Sequence, residues 1–278
     1  MPRVVAFILF LLSGTVISVA SECLGNLNAL GTSRVIVVDP VEHPRVGTLQ
    51  YQETLPLNDH EVVLTFDDGP LPPYTTRILD TLASNCVKAT FFIIGRMANS
   101  SPDLVRRAYR EGHTIGTHTE KHPLNIASLP IEHTKREIEN GIASVTRALA
   151  GSAVPAPFFR IPGLARTEAI EKYLSSRGIM IWSADVIPDD WKQISPDQMI
   201  ERSLEGLKRK GRGILLLHDI HERTAEALPT LLNKLKLAGF HVVHVVPISP
   251  DQPETATVPT QWLLPTEDKK LDPSTPTE

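Results

Sequence analysis

Two adjacent carboxylates, Asp67 and Asp68, stand at the end of the apolar run Val62-Val63-Leu64-Thr65-Phe66. Burying such a pair is costly unless a metal ion or an arginine compensates the charge, and candidates for both are present. His118 and His122, separated by Thr119-Glu120-Lys121, have the spacing at which two imidazoles reach one divalent ion. A single carboxylate, Asp68, completes that donor set and leaves positions for water. Other polar residues end or follow other apolar runs: Arg160, the group Asp185, Asp189 and Asp190, and His218. Taken singly, each has a plain alternative. The histidine pair could be unrelated surface chemistry, Arg160 a surface cation, Asp190 a helix cap, Trp191 a core aromatic and His218 a satisfied core histidine.

What joins these residues is the kind of element each one follows. Segments 61–66, 89–94, 113–116, 158–161, 179–183, 213–217 and 241–246 are short and rich in Val, Ile, Leu and Phe, as buried parallel strands are. Between them lie helical spacings such as Ile138, Ile142, Val145 and Leu149, or Leu228, Leu231, Leu232 and Leu235. Ser101-Pro102 and Ser195-Pro196 resemble helix starts, and Gly112, Gly178, Gly211 and Gly239 stand where helices should stop. Strand and helix alternate, so the fold class is α/β. Seven units lean toward a distorted or incomplete (β/α) barrel rather than an open doubly wound sheet. In either, loops converge where the strands end, and one pocket could hold all the residues named above.

The 278 residues are long for one domain, yet α/β barrels reach such lengths as single units. The net charge of -4 excludes the strongly basic footprint of a nucleic-acid binder. Arg3, the apolar stretch Val4–Leu12 and the small residues Ser18-Val19-Ala20 read as a signal peptide over residues 1–20, the alternative being an uncleaved anchor. Nothing later reaches transmembrane length, which implies a secreted or periplasmic protein. In such an oxidising compartment the only two cysteines, Cys23 and Cys86, are expected to pair, the alternative being two separate thiols. Residues 21–60 lack the alternation apart from Val35–Val38 and are expected to pack beside the first strand. Residues 249–278 are proline-rich and polar, a composition expected to be disordered, although Trp262, Leu263 and Leu264 could dock.

From Val62 to Val246 the sequence resembles the polysaccharide deacetylase family, the NodB-homology domains of carbohydrate esterase family 4. The resemblance rests on TFDDGP at residues 65–70, HTEKH at 118–122, RIPG at 160–163, DDW at 189–191 and LLH at 216–218. It implies a metal-dependent hydrolase acting on acetylated sugars. Asp68, His118 and His122 would hold a divalent metal, usually zinc or cobalt, and Asp67 would be the general base. His218 would be the general acid, oriented by Asp190, while Arg160 would aim Asp67 and hold it ionised. Trp191 and Leu216 would wall the pocket for the acetyl methyl, and the backbone N–H of Gly163 would help bind the oxyanion.

Two features depart from the family pattern. Gly163 stands where many members carry a tyrosine, and the loop from Trp182 to Trp191 is about two residues longer than the commonest form. The second leaves Asp189 and Asp185 as alternatives to Asp190. The expected substrate is an N-acetylglucosamine-containing glycan such as peptidoglycan, chitin or a chito-oligosaccharide. De-O-acetylation of xylan or a related polysaccharide is the alternative reaction, and a non-catalytic glycan-binding relative the alternative class.

Overall fold

The structure is a computed structural model describing Cys23, Asn26 and residues 28–264. The leader expected over residues 1–20, and residues 265–278 of the tail, lie outside the described residues. The strands are β1 (Thr32–Val38), β2 (Arg45–Val46), β3 (Glu61–Asp67), β4 (Thr90–Ile93), β5 (Thr114–Thr117), β6 (Phe158–Phe159), β7 (Met180–Trp182), β8 (Gly213–His218) and β9 (His241–Pro247). The helices are α1 (Tyr74–Ser84), α2 (Gly95–Ser100), α3 (Pro102–Arg110), α4 (Ile131–Ala148), α5 (Glu168–Ser176), α6 (Pro196–Lys210) and α7 (Glu222–Leu237). All seven expected strands are present. The α6 start follows from its sequence, because Ser195 and Gln198 form a capping box across Pro196, which opens the first turn.

The strands pair in parallel in the order β1-β9-β3-β4-β5-β6-β7-β2, with β8 also on β3. Among the described residues only an isolated bridge, Val186 to Leu215, spans from the segment after β7 to β8, so the barrel is incomplete. Side chains along β3 alternate as a strand requires. Val62, Leu64 and Phe66 join the layer packed with Ile78, Leu82, Leu228 and Leu231 of the helices. Val63 joins a second cluster with Phe92, Phe158, Met180, Trp182, Ile214 and Leu216. Register then levels the strand ends: Asp67 stands opposite His218 on β8, and Thr117 opposite Phe159 on β6. His118 and Arg160, the next residues along their strands, therefore emerge at one height.

The N-terminal segment departs from expectation. β1 pairs with β9 rather than with β3, and β2 pairs with β7, so residues 32–46 supply a strand to each end of the sheet. Arg34 still ties β1 to β3 through a two-pronged contact with Glu61 at 2.7 and 2.6 Å. A disulfide joins Cys23 to Cys86, across 5.6 Å between Cα atoms, and anchors the chain ahead of β1 to the loop after α1.

Residues 249–264 also correct the expectation of disorder. Trp262 is 2% exposed and belongs to the cluster inside the barrel, with His43 stacked on its ring at 3.3 Å between centroids. Its carbonyl accepts the Thr54 N–H at 2.7 Å, and Arg212 donates to the Leu263 carbonyl at 2.7 Å. Composition averages over a window, whereas one tryptophan buries roughly 150–250 Å² and orders its neighbours. Trp262→Ala is expected to cost about 3–5 kcal/mol in urea unfolding; a change below about 1 kcal/mol would show that this docking is dispensable.

Candidate metal and catalytic site

Asp68 begins the turn after β3 with φ 80°, in the left-handed region. His118 follows β5 directly, and the turn to His122 is closed by the His122 N–H donating to Thr119 Oγ1 at 3.0 Å. Asp68 Oδ1 lies 3.5 Å from His118 Nε2 and 3.4 Å from His122 Nε2. One ligand atom from each of the three lies within 4.8 Å of the others. His118 Nδ1 donates to the Arg160 carbonyl at 2.5 Å, a contact that leaves Nε2 bare. Burial pushes the His118 imidazole down to about 3, so it stays neutral, as a ligand must be. The buried Asp68 Oδ1 has no hydrogen-bond partner. An orphaned anionic oxygen facing two imidazole nitrogens fits a divalent ion of the zinc type.

Beside this cluster lies a buried ion pair. Asp67 Oδ1 accepts from Arg160 Nη1 at 2.6 Å, and Arg160 is fully buried. The guanidinium also donates to Thr65 Oγ1 at 2.9 Å and to the Ser183 carbonyl at 2.8 Å, and it stacks over Phe92 at 4.3 Å. Its aim is thus fixed by β3, β4 and the segment after β7. Burial raises the Asp67 carboxyl above the ordinary carboxylate range, and Arg160 offsets this only in part. Arg160 lowers Asp67, as expected, but enclosure outweighs the cation and the net shift is upward. A raised carboxylate is the stronger proton acceptor.

The third group is His218 with Asp190. Asp190 is fully buried and accepts the His218 Nδ1–H and N–H, each at 2.7 Å, and the Thr224 hydroxyl at 2.8 Å. Burial alone would depress His218, but the hydrogen bond and charge of Asp190 lift it to about 9. For Asp190 itself, burial pushes upward and the bonds from His218 bring it below its ordinary value. Asp189 turns away at φ 63° to Arg202 and Lys192, at 2.9 and 3.1 Å. Asp185 is consumed by Thr48, Thr54 and the Ile214 N–H. The carboxylate on His218 is therefore Asp190.

Asp67, Asp68, His118, His122 and His218 line one cavity of about 520 Å³ together with Gly163, Trp191, Leu216 and His221, while Arg160 and Asp190 stand behind its wall. Trp191 is 44% exposed and meets His218 edge-on at 5.5 Å, so it is a rim aromatic. Gly163 has φ 58°, and a Cβ there would meet nothing nearer than Leu124 Cδ2 at 3.8 Å. The pocket is open where a larger side chain would stand. Glu120 and His113 lie elsewhere: Glu120 accepts from Ser144, and His113 accepts the Ala89 N–H. Sequence reasoning overlooked Leu124 and Asp219 and gave Thr65, the first residue of TFDDGP, no role of its own; the only signal for Asp219 was a carboxylate directly after LLH.

A family model described as polysaccharide deacetylase matches residues 54–182. A peptidoglycan-N-acetylglucosamine deacetylase of Bacillus cereus is 36% identical over 194 residues, covering 68% of this chain and 68% of that one. One of Listeria monocytogenes is 35% identical over 187 residues, covering 66% of this chain but only 38% of its own length. The solved peptidoglycan deacetylase of Bdellovibrio bacteriovorus superposes with a TM-score of 0.70 at 29% identity, covering 78% of this chain and 60% of that one. With matched sequence running through the first three strand ends of the site, and a matching fold around it, the chain belongs to the polysaccharide deacetylase family.

Proposed function

We propose that this protein is a metal-dependent hydrolase that removes N-acetyl groups from N-acetylglucosamine-containing glycans, with peptidoglycan the foremost substrate and chitin or chito-oligosaccharides next. The observation that carries the reading is one cavity lined by an Asp-His-His cluster, Asp67 and His218, with Arg160 and Asp190 bonded to the last two from behind. The relatives named above support the substrate class.

Asp68, His118 and His122 hold a divalent ion, zinc foremost and cobalt the alternative. Such an ion, when bound, ionises water near neutral pH and polarises the acetamide carbonyl. Asp67 Oδ1 is occupied by Arg160, so Oδ2 is the atom that takes the proton of the attacking water. His218, held at Nδ1 by Asp190, presents Nε2 and delivers the proton to the amide nitrogen as the C–N bond breaks. An amine leaves badly as an anion, so this step is required. Leu216 and Trp191 bound the space for the acetyl methyl. The Gly163 N–H is the donor assigned to the developing oxyanion.

Action outside the cell, secreted or periplasmic, is part of the proposal. The Cys23–Cys86 disulfide supports it, since such bonds persist in oxidising compartments. No described helix is long and apolar enough to cross a membrane.

Acetate release from peptidoglycan, chitin and chito-oligosaccharides by zinc-reconstituted protein tests the reading. Release that a chelator abolishes and zinc restores is the expected result. Inactivity of metal-loaded protein on all three would overturn it. Release from acetylated xylan alone would transfer the assignment to an ester donor.

A further inference from the structure

The turn that carries Asp68 is gripped from behind by a carboxyl group that none of these roles uses. Asp219 follows His218 at the end of β8, is 1% exposed, and is not among the residues lining the cavity. Its Oδ1 accepts the Gly69 N–H at 2.9 Å and its Oδ2 accepts the Thr75 hydroxyl at 2.7 Å. Its own N–H donates to the Asp67 carbonyl at 3.2 Å. Thr75 Oγ1 in turn accepts the Leu71 N–H at 2.8 Å. The loop 67–71 is therefore bound to one clasp at three points, from β8 and from the first turn of α1.

That loop needs holding. A non-glycine residue in the left-handed region costs on the order of 1–2 kcal/mol, and Asp68 sits there at φ 80°. A released turn would relax to another backbone conformation and swing Oδ1 away from the two imidazoles. The fit also accounts for glycine at position 69, where a Cβ would lie 1.9 Å from Asp219 Oδ2. Only a residue without a side chain lets the carboxylate reach the amide.

We propose that Asp219 is a positioning residue which, with Thr75, clamps the left-handed Asp68 turn so that the Asp68 carboxylate reaches an ion shared with His118 and His122. The inference rests on the metal reading of the pocket and adds a group that acts only through another residue. Partners behind a metal ligand typically carry 10–100-fold in metal affinity or activity.

The test is zinc affinity by competition with a chromophoric chelator, alongside the ligand-field absorption of the cobalt-loaded protein and thermal melts of the metal-free protein. Asp219→Ala is expected to lose about 10–100-fold in zinc affinity and to alter the cobalt spectrum. Asp219→Asn keeps an oxygen for the Gly69 N–H and is expected to recover most of that loss. Thr75→Val breaks one half of the clasp, and a loss of at least ~3-fold is expected; it carries the test if Asp219→Ala does not fold. If the parent binds zinc while the folded variants bind within about twofold of it, with or without a lowered melting temperature, the clamp is wrong and the metal reading stands. A parent that binds no zinc would overturn both.

Discussion

Asp67→Asn is expected to lower turnover by about 10²–10⁴-fold while leaving zinc binding in place, the range for loss of a positioned general base. The amide is isosteric and can still offer an oxygen to Arg160, so the site keeps its shape and loses its basicity. Asp67 is not one of the three clustered ligand atoms, which is why metal affinity should hold. The same change leaves a fully buried guanidinium without its anionic partner, since its other hydrogen bonds go to Thr65 and backbone carbonyls. Breaking a buried pair from one side costs about 3–5 kcal/mol, so the variant should also melt earlier. Rates are therefore to be compared where both proteins are folded. An Asp67→Asn protein within tenfold of the parent, at equal metal content, would remove Asp67 from the role of base.

The second large effect is in the pH profile. His218 must be protonated to act as an acid, so activity is present below its folded value and lost as pH rises through it. In the metal-free site that value is about 9, against 6.5 for a free imidazole. A divalent ion opposes the fields of Asp67 and Asp68 and lowers it, so the falling limb is expected at or below pH 9. The rising limb belongs to Asp67, which must lose its proton; burial raises that carboxyl in the metal-free site, and a bound divalent ion would lower it. In Asp190→Asn the charge that lifts His218 is gone and the amide oxygen offers only a neutral, weaker hydrogen bond, so burial depresses the imidazole against less opposition. The alkaline limb should then move to lower pH, with a fall of about 10²–10⁴-fold in kcat near neutrality. An unchanged limb would show that His218 is not the group titrating there.

Much of the fold was legible because strand and helix periods are local properties. The run Val62 to Phe66 announces a buried strand whatever surrounds it, and all seven such runs became strands. β2 was not legible, since Arg45 and Val46 carry no period and are a strand only because β7 lies beside them. The order of residues 249–264 was illegible for the same reason: Trp262 is fixed by His43, Thr54 and the barrel interior, all far away in sequence.

The site divides in the same way. The residue types, their order and their places at the ends of apolar runs were set in the sequence, and with them the kind of chemistry. Which neighbour of Trp191 reaches His218 was decided by one left-handed residue, Asp189, which turns its own carboxylate outward to Arg202 and leaves Asp190 facing in. The direction in which Asp67 shifts was decided by enclosure, a quantity that exists only once β3, β4, β6 and the segment after β7 close around Arg160. Asp219 became visible as a partner of the Asp68 turn only when β8 was laid in register against β3. Local pattern determines which groups a chain carries to its strand ends. Burial, hydrogen bonding and the meeting of distant strands decide what each group does there, because they depend on neighbours that adjoin only in the folded chain.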